Sequence, residues 1–362
     1  MSDQASKPMK ISTVSIGEEP HGRYKEFARL CELLGFDGFY HADEKWTRDV
    51  WVRLAIAGEV TNRMTLGVSV TDPFTRHPAI TAQAGASLAE STDGRFRMMI
   101  GIGSHFETLP GYGVVKGPLA MREATEVMRA LWRNERVTFD GKVIKLNGAT
   151  FDFDLDQSLT PDIYICGRGP MALESAGRVG DGALVGSFAT PSGIEWAREQ
   201  IGRGLEKSGR SWDDVKVASW LYVTFLEDED EPLPDNIRRG MSHAMWSSRP
   251  FFTERLDQFA PDATPELRAF MNDAPHEWSP EVMAQLRSVI TRGMFDSLAV
   301  AGTEQQVVAK LAALRDAGVD EVVLWPFPRE GEAVEDVVLR IARTVIPALG
   351  TPVSRPKYRL VD

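Results

Sequence analysis

Cysteine is scarce in this sequence, since only Cys31 and Cys166 occur among 362 residues. Two cysteines are too few for a disulfide framework or a cysteine-rich zinc site, so we expect a protein of the reducing cytoplasm. Apolar stretches are short as well, and none reaches the roughly 18 residues of a membrane-spanning helix. Residues 1–10 are polar and lack the apolar segment of a secretory signal. We therefore expect no membrane partner.

The sequence also lacks a surplus of basic residues, because its formal net charge is −11. This balance disfavours nucleic acid and anionic membranes as partners, but an anionic small molecule needs only one arginine or a helix N-terminus. The H-E-x-x-H, C-x-x-C, G-x-S-x-G and P-loop motifs are all missing, and His243 and His276 lie far apart in the sequence. We therefore expect no metal, and hydrolase and nucleoside-triphosphatase functions are disfavoured.

Short apolar runs alternate with helical patterns along most of the chain. Near-continuous apolar runs indicate parallel strands that are covered by helices, and eight such units predict an α/β fold, the (β/α)8 TIM barrel. We expect one barrel domain over residues 1–362, with an open doubly wound sheet as the alternative. The predicted strands cover residues 9–16, 36–42, 64–70, 96–103, 162–167, 182–187, 215–225 and 321–327.

Residues 226–298 do not fit this alternation. They begin with the acidic, proline-containing run "EDEDEPLPDN" and continue with helical patterns rich in aromatic residues. We interpret them as a helical insertion between strand seven and its helix, placed over the C-terminal mouth of the barrel. Trp246, Phe251 and Phe252 would form either an apolar lid over a substrate or, as the favoured alternative, the core of the insertion itself.

In a barrel of this kind the functional residues lie at the carboxyl ends of the strands and in the loops that follow them. After the fifth strand, Gly167-Arg168-Gly169 precedes Pro170, where a helix should begin. Glycines let the backbone approach an anion, the first helical amides point towards it, and Arg168 adds charge. An ordinary strand–helix turn is the alternative. The pattern does not match the G-x-G-x-x-G signature of a nicotinamide site.

The second strand ends in "YHADEKW", which places His41, Asp43 and Glu44 within four positions. Desolvation at this place would raise the pKa of a carboxyl enough for proton transfer near neutrality. Alternatively, Glu44 and Lys45 are solvated, Asp43 caps the next turn, and His41 is a hydrogen-bonded barrel histidine.

The fourth strand ends in "GIGSHFE", residues 101–107. A glycine turn at this place can lie against a flat ring, and Ser104 can donate a hydrogen bond. Close packing is the alternative explanation for Gly101. His105 and Glu107 are polar at the expected mouth and are further candidates for acid–base chemistry.

Together these motifs resemble the bacterial-luciferase-like superfamily of flavin and deazaflavin oxidoreductases. The similarity is greatest to its coenzyme F420-dependent branch, which includes methylenetetrahydromethanopterin reductase and F420-dependent glucose-6-phosphate dehydrogenase. It covers residues 9–190 and 300–347 and depends on the segments "LGFDGFYHADE", "RMTLGVSVTDPFTRHPAITAQAGASLAESTDGRFRMMIGIGS", "GPMALESAGRVGDGAL" and "AGTEQQVVAKLAALRDAGVDEVVL".

The resemblance implies which residues hold the cofactor. The ring would lie against a bulge in strand three that is made by a non-prolyl cis peptide between Ser69 and Val70, flanked by Val68 and Thr71. Asp43 would lie beside the pyrimidine part of the ring, while Gly103 and Ser104 would line the tail. The phosphate would lie on the turn after strand five, formed by Ile165, Cys166, Gly167, Arg168 and Gly169.

The sequence also departs from the family pattern. Several F420-dependent relatives have Asp-His after strand two, where this chain has Asp43-Glu44. The glucose-6-phosphate enzyme has an acidic residue where this chain has Phe106, and Glu107 follows one position later. Sugar-phosphate specificity is therefore not implied, and Glu44, His41, Asp43, His105 and Glu107 remain candidates for the group that exchanges a proton.

These observations predict an oxidoreductase that uses coenzyme F420 to transfer a hydride to or from a small organic substrate such as an alcohol, imine or enone. One alternative is an FMN-dependent luciferase-like monooxygenase, and another is an F420-binding protein without catalytic activity. A barrel hydrolase or aldolase would need a pair of catalytic carboxylates or a lysine at the strand ends. Lys45 is the only lysine near those ends, so this function is disfavoured. The resemblance also implies a homodimer.

Overall fold

The computed structural model describes residues 7–16, 19–104, 106–228, 231–275 and 279–350, with the side chain of Glu107 left out. Its strands are β1 (Lys10–Ser15), β2 (Gly38–His41), β3 (Thr65–Thr71), β4 (Phe96–Ile100), β5 (Val137–Asp140), β6 (Lys145–Ala149), β7 (Asp162–Gly167), β8 (Gly182–Gly186), β9 (Lys216–Phe225), β10 (Ala299–Gly302) and β11 (Glu321–Pro326). Eight of them pair in parallel in the order β1-β2-β3-β4-β7-β8-β9-β11, and β11 pairs with β1. The sheet is therefore closed, which confirms the predicted TIM barrel.

Three strands lie outside the barrel order. β5 and β6 form an antiparallel hairpin, and the carboxylate of Glu123 holds it by accepting hydrogen bonds from three backbone amides of residues 142–144. β10 was not predicted. It pairs with Tyr222–Phe225 of β9, beyond Lys216–Trp220, where β9 pairs with β8. The long strand β9 thus has two successive neighbours on one side.

Helices surround the barrel, and local capping explains several of their boundaries. Asp49 accepts a hydrogen bond from the amide of Val52 at the start of α2, and the ring of His77 accepts one from Ala79 at the start of α3. The helices are α1 (His21–Leu33), α2 (Val50–Gly58), α3 (Pro78–Ser91), α4 (Gly117–Trp132), α5 (Pro170–Val179), α6 (Pro191–Ser208), α7 (Asp235–Ser247), α8 (Arg249–Glu254), α9 (Leu256–Phe259), α10 (Pro265–Asp273), α11 (Pro280–Val289), α12 (Arg292–Leu298), α13 (Glu304–Asp316), α14 (Val334–Arg340) and α15 (Ile346–Leu349). No helix in the described part of the chain is long and apolar enough to cross a membrane.

Side chains alternate between two cores along each strand. The large core lies between the strands and the helices and includes Phe39 of β2. A smaller cluster fills the interior of the barrel and includes Tyr40, the next residue of β2. Whether a strand residue faces the interior or the helices therefore decides whether it can take part in a site at the end of the barrel.

A buried polar network closes the amino-terminal end of the barrel. Arg97 donates to the carboxylate of Glu321 at 2.6 Å and to the phenol oxygen of Tyr40 at 2.6 Å, and Ser12 donates to Glu321 at 2.6 Å. Glu321 is the first residue of β11 and Arg97 is the second of β4, and all four residues are buried. A ligand in the barrel must therefore enter at the other end, which we call the mouth, where the carboxyl ends of the strands meet.

Helices α7 to α12 occupy most of the segment between β9 and α13. α7 contacts the mouth through two hydrogen bonds. The phenol of Tyr222 donates to the carbonyl of Gly240 at 3.2 Å, and the side-chain amide of Asn236 donates to the carbonyl of Pro328 at 2.8 Å. At Gly240 a Cβ atom would lie 3.0 Å from the ring of Phe327, so the glycine lets the helix approach the strand ends closely.

Candidate active site

Strand β3 is irregular where it reaches the mouth. The peptide bond between Ser69 and Val70 is cis, and the register between β3 and β4 shifts between Val68 and Thr71. Gly101 faces this bulge, and a Cβ atom there would lie 2.7 Å from Cγ2 of Val70. The prediction of a cis bond at this position is confirmed.

The segment after the bulge is fixed by Asp72. Its carboxylate accepts hydrogen bonds from the amides of Phe74 and Thr75, both at 2.8 Å, and Lys45 lies 3.2 Å away in a buried ion pair. The ammonium of Lys45 also lies 4.2 Å from the centre of the Phe106 ring. Lys45 therefore connects the loops that follow β2, β3 and β4, and it is not the solvated lysine of the alternative interpretation.

Two carboxylates after β2 contact residues predicted to bind the cofactor. Asp43 accepts a hydrogen bond from the hydroxyl of Thr71 at 2.7 Å. Burial raises the pKa of Asp43, although the hydrogen bond from Thr71 opposes this effect. Glu44 accepts a hydrogen bond from the hydroxyl of Ser104 at 2.8 Å. The ends of β2, β3 and β4 thus place two carboxyl groups beside two hydroxyl groups.

Arg168 follows β7 and lies across β8 at the same end of the barrel. Its guanidinium donates to the hydroxyl of Ser248 at 3.0 Å and lies 3.5 Å from that of Ser187, while its Nε atom is buried without a partner among the described residues. At Gly186 a Cβ atom would lie 3.1 Å from Arg168. Burial lowers the pKa of Arg168, although the group remains cationic because arginine titrates far above neutrality. No described carboxylate forms an ion pair with it.

The turn that carries Arg168 has room beside it. A Cβ atom at Gly169 would meet no atom within 4 Å, and no side chain caps the first amides of α5. Pro170 begins the helix as predicted. The turn therefore combines a cation that lacks a carboxylate partner with uncapped amides, which is the arrangement that binds phosphate.

The sequence did not reveal an aromatic cluster beside these groups. Trp220, Tyr222, Trp325 and Phe327 lie at the carboxyl ends of β9 and β11, with ring centres between 4.6 and 5.6 Å apart. Burial raises the pKa of Tyr222 to about 12, while Arg168 opposes this rise. The signal that could have found the cluster is the spacing of two residues between Trp220 and Tyr222 and between Trp325 and Phe327, because side chains two apart on a strand share one face.

His41 is not at the mouth, contrary to the expectation that placed it beside Asp43. It is fully buried on the same face of β2 as Phe39, and its ring meets that of Tyr24 of α1 edge-on at 5.2 Å. Both ring nitrogens lack a partner among the described residues. Burial lowers the pKa of His41 to about 3, and the charge of Arg53 acts in the same direction. The imidazole is therefore a neutral group of the helix layer.

The other predicted site residues fall into three groups. The side chains of Val68 and Ile165 face the helix layer, so that only their backbone borders the mouth, while Cys166 faces the barrel interior. Gly103 has a φ of 69° beside Asp72, and Gly167 ends β7. His105 and the side chain of Glu107 lie outside the described residues.

The aromatic side chains of the insertion behave as a core. The ring of Phe251 lies 5.2 Å from that of Phe252, 5.7 Å from Phe259 and 5.8 Å from Phe188, while Trp246 contacts Phe270. The contacts with Phe252, Phe259 and Phe270 agree with the favoured interpretation of packing within the insertion rather than with a lid, while the contact with Phe188 joins the insertion to the loop after β8.

Comparison with known proteins identifies the family. A profile described as luciferase-like monooxygenase matches residues 6–321. The chain belongs to this family. The match confirms the resemblance seen in the sequence motifs and makes the protein an oxidoreductase of the luciferase-like superfamily.

Individual relatives agree with this assignment. The chain is 30% identical over 319 residues to 5,10-methylenetetrahydromethanopterin reductase of Archaeoglobus fulgidus, covering 87% of this chain and 92% of that protein. It is 31% identical over 226 residues to F420-dependent glucose-6-phosphate dehydrogenase of Nakamurella multipartita, covering 58% of this chain and 66% of that protein. The fold matches coenzyme F420-dependent tetrahydromethanopterin reductase of Methanopyrus kandleri with a TM-score of 0.78 at 22% identity, covering 95% of this chain and 100% of that one.

Proposed function

We propose that this protein is a coenzyme F420-dependent oxidoreductase that transfers a hydride between the deazaflavin and a small organic substrate of the alcohol, imine or enone type. One observation carries the proposal. Ser69 and Arg168, which the family resemblance assigns to the cofactor, each hold a buried polar atom without a partner among the described residues. Buried polar atoms are normally paired, and a cofactor at the mouth would supply the partners that these two atoms lack, whereas the unpartnered ring nitrogens of His41 lie away from the mouth. The names of the relatives support F420 as that ligand.

The residues at the mouth fit such a cofactor. Arg168 and the uncapped amides of α5 would hold its phosphate, Ser104 would contact its tail, and Asp43 would lie beside its ring. When bound, the deazaflavin supplies a carbon centre that accepts or donates hydride. The chain itself must bind and orient the reactants and exclude water from them.

Glu44 is the group that we assign to proton exchange. Its Oε2 atom accepts the hydrogen bond from Ser104, which fixes the orientation of the carboxyl group towards the mouth. By the family resemblance described above, it occupies the position where several F420-dependent relatives have histidine. Tyr222, whose pKa is raised by burial, remains protonated at neutral pH and donates its hydroxyl proton to Gly240, so that it holds α7 against the mouth.

Two variants separate binding from chemistry. Arg168→Met removes charge-assisted hydrogen bonds, so we expect the Kd for F420 to rise about tenfold or more in a calorimetric titration. Arg178→Met, which affects the last turn of the same helix, is the matched control and should bind F420 as the wild type does. Glu44→Gln should lower kcat while the Kd changes by no more than about twofold. Unchanged F420 binding by Arg168→Met would refute the assignment of the phosphate site.

An FMN-dependent monooxygenase is the second candidate, because the matching profile carries the description of a monooxygenase. Oxygen consumption with reduced FMN as the electron donor separates the two functions. The F420 proposal predicts no substrate-dependent oxygen uptake. Tight F420 binding without turnover of any alcohol, imine or enone would instead indicate an F420-binding protein without catalytic activity.

Three further proposals concern the state of the protein. We propose that the insertion covers the mouth, because α7 binds Tyr222 and Ser248 binds Arg168.

We also propose a homodimer that buries Val52 of α2 and Ile80 of α3, which are 50% and 49% exposed on neighbouring helices. Light scattering tests the dimer, and a monomeric mass would refute it. The two unpaired cysteines favour a cytoplasmic location.

A further inference from the structure

A cavity lies at the amino-terminal end of the barrel, opposite the mouth. Its volume is about 300 Å³, and it is bordered by the residues that directly precede β1, β9 and β11. It is therefore separate from the proposed F420 site and from the polar network inside the barrel. Its charged lining residues are Lys7, Arg198, Lys216, Arg315, Asp213 and Asp320.

Cations exceed carboxylates in this cavity, although the whole chain carries a formal charge of −11. Lys7 is paired with Asp320 at 2.8 Å, and Arg315 is paired with its neighbour in sequence, Asp316, at 2.9 Å. Arg198 and Lys216 form no ion pair with a described carboxylate. A locally positive cavity in an acidic protein favours an anionic ligand, because the cations within it lower the energy of a bound anion.

Arg198 is held in position for such a ligand. Its guanidinium lies 4.0 Å from the centre of the Trp212 ring and donates to the carbonyl of Gly318 at 3.1 Å. At Gly318 a Cβ atom would lie only 2.8 Å from Nη1 of Arg198, and the φ of 99° also favours glycine. The backbone therefore makes room for the guanidinium. An arginine that is already ordered loses little conformational entropy when it binds an oxyanion.

We propose that this cavity binds a small molecule that carries at least two negative charges on phosphate or carboxylate groups. Arg198 provides the paired N–H donors that match either oxyanion, and Lys216 adds a second charge. A volume of about 300 Å³ is at the lower end of the range for small-molecule sites, which limits the ligand to the size of a small metabolite. The inference does not depend on F420 chemistry.

Calorimetric titration of the full-length protein at low ionic strength tests the proposal, with inorganic pyrophosphate and citrate as separate probes. We expect saturable binding of at least one probe, and the stronger one shows whether phosphate or carboxylate is preferred. Arg198→Met should weaken that binding about tenfold or more, and Lys216→Gln about threefold. Arg203→Met is the matched control on α6, because Arg203 pairs with Glu199 and does not line the cavity.

The outcomes distinguish the proposal from nonspecific attraction. Absence of saturable binding for both probes at millimolar concentration would refute it, as would equal weakening by Arg203→Met and Lys216→Gln. Thermal unfolding without ligand shows whether each variant is folded. If Arg198→Met does not fold, the effect of Lys216→Gln on probe binding tests the proposal instead. Residue 216 is exposed at the start of β9, so we expect this variant to fold.

Discussion

His41→Phe tests whether the buried imidazole behind β2 makes the fold sensitive to acid. At pH 5 a histidine in the unfolded chain, with a pKa of about 6.5, is almost fully protonated. The buried ring, with a pKa of about 3, stays neutral in the folded protein. Because the pKa of His41 is lower in the folded protein than in the unfolded chain, unfolding takes up a proton once the pH falls below about 6.5. The free energy of unfolding therefore decreases as the pH falls. Linkage gives a loss of about 2 kcal/mol between pH 7 and pH 5 that is due to His41 alone.

The phenylalanine variant keeps a ring against Tyr24 and removes the titratable group. Urea unfolding at several pH values should therefore show that the wild type loses about 2 kcal/mol more than His41→Phe between pH 7 and pH 5. His21→Phe, at an exposed position at the start of α1, controls for the added phenyl ring. If the free energy of unfolding changed with pH by the same amount in the wild type and in His41→Phe, the reasoning would be refuted. Loss of turnover in a stable His41→Phe variant would restore His41 as a catalytic candidate.

Three further predictions concern the loops at the mouth. Lys45→Met leaves the buried carboxylate of Asp72 without its cation, so urea unfolding should show that the free energy of unfolding falls by about 3 kcal/mol. A decrease of less than about 1 kcal/mol would contradict the stabilising role of this ion pair. Gly101→Ala should cost about 2 kcal/mol because its Cβ would overlap Val70, whereas Gly113→Ala, where nothing lies within 4 Å, should cost much less. Burial raises the pKa of Asp43, so the charged carboxylate destabilises the fold at pH 7 and Asp43→Asn should increase the free energy of unfolding there. This increase should become smaller as the pH falls towards 4. An increase that does not change with pH would contradict the prediction.

Much of the barrel follows from local sequence patterns. Helix α3 begins at Pro78 because His77 caps it and proline is favoured in the first helical turn. β10 was missed because its four residues directly follow the insertion and become a strand only through pairing with the far end of β9. A strand whose partner is chosen by the tertiary structure leaves little local signal.

The candidate site was predictable where one short motif determines the contact. Arg168 reaches the mouth because it directly follows β7, and Ser104 because the short glycine turn after β4 leads to it. His41 was misplaced because its closeness in sequence to Asp43 and Glu44 does not show which way its side chain points, and as the last residue of β2 it faces the helices with Phe39. Tyr222 and Trp325 were missed because their proximity depends on the register between β9 and β11.

Calorimetric titration of the purified protein with F420 and, separately, with FMN tests the central claim most directly. The account predicts stoichiometric F420 binding that is weakened by Arg168→Met, together with little binding of FMN. Absence of F420 binding at tens of micromolar, or tighter binding of FMN than of F420, would contradict it.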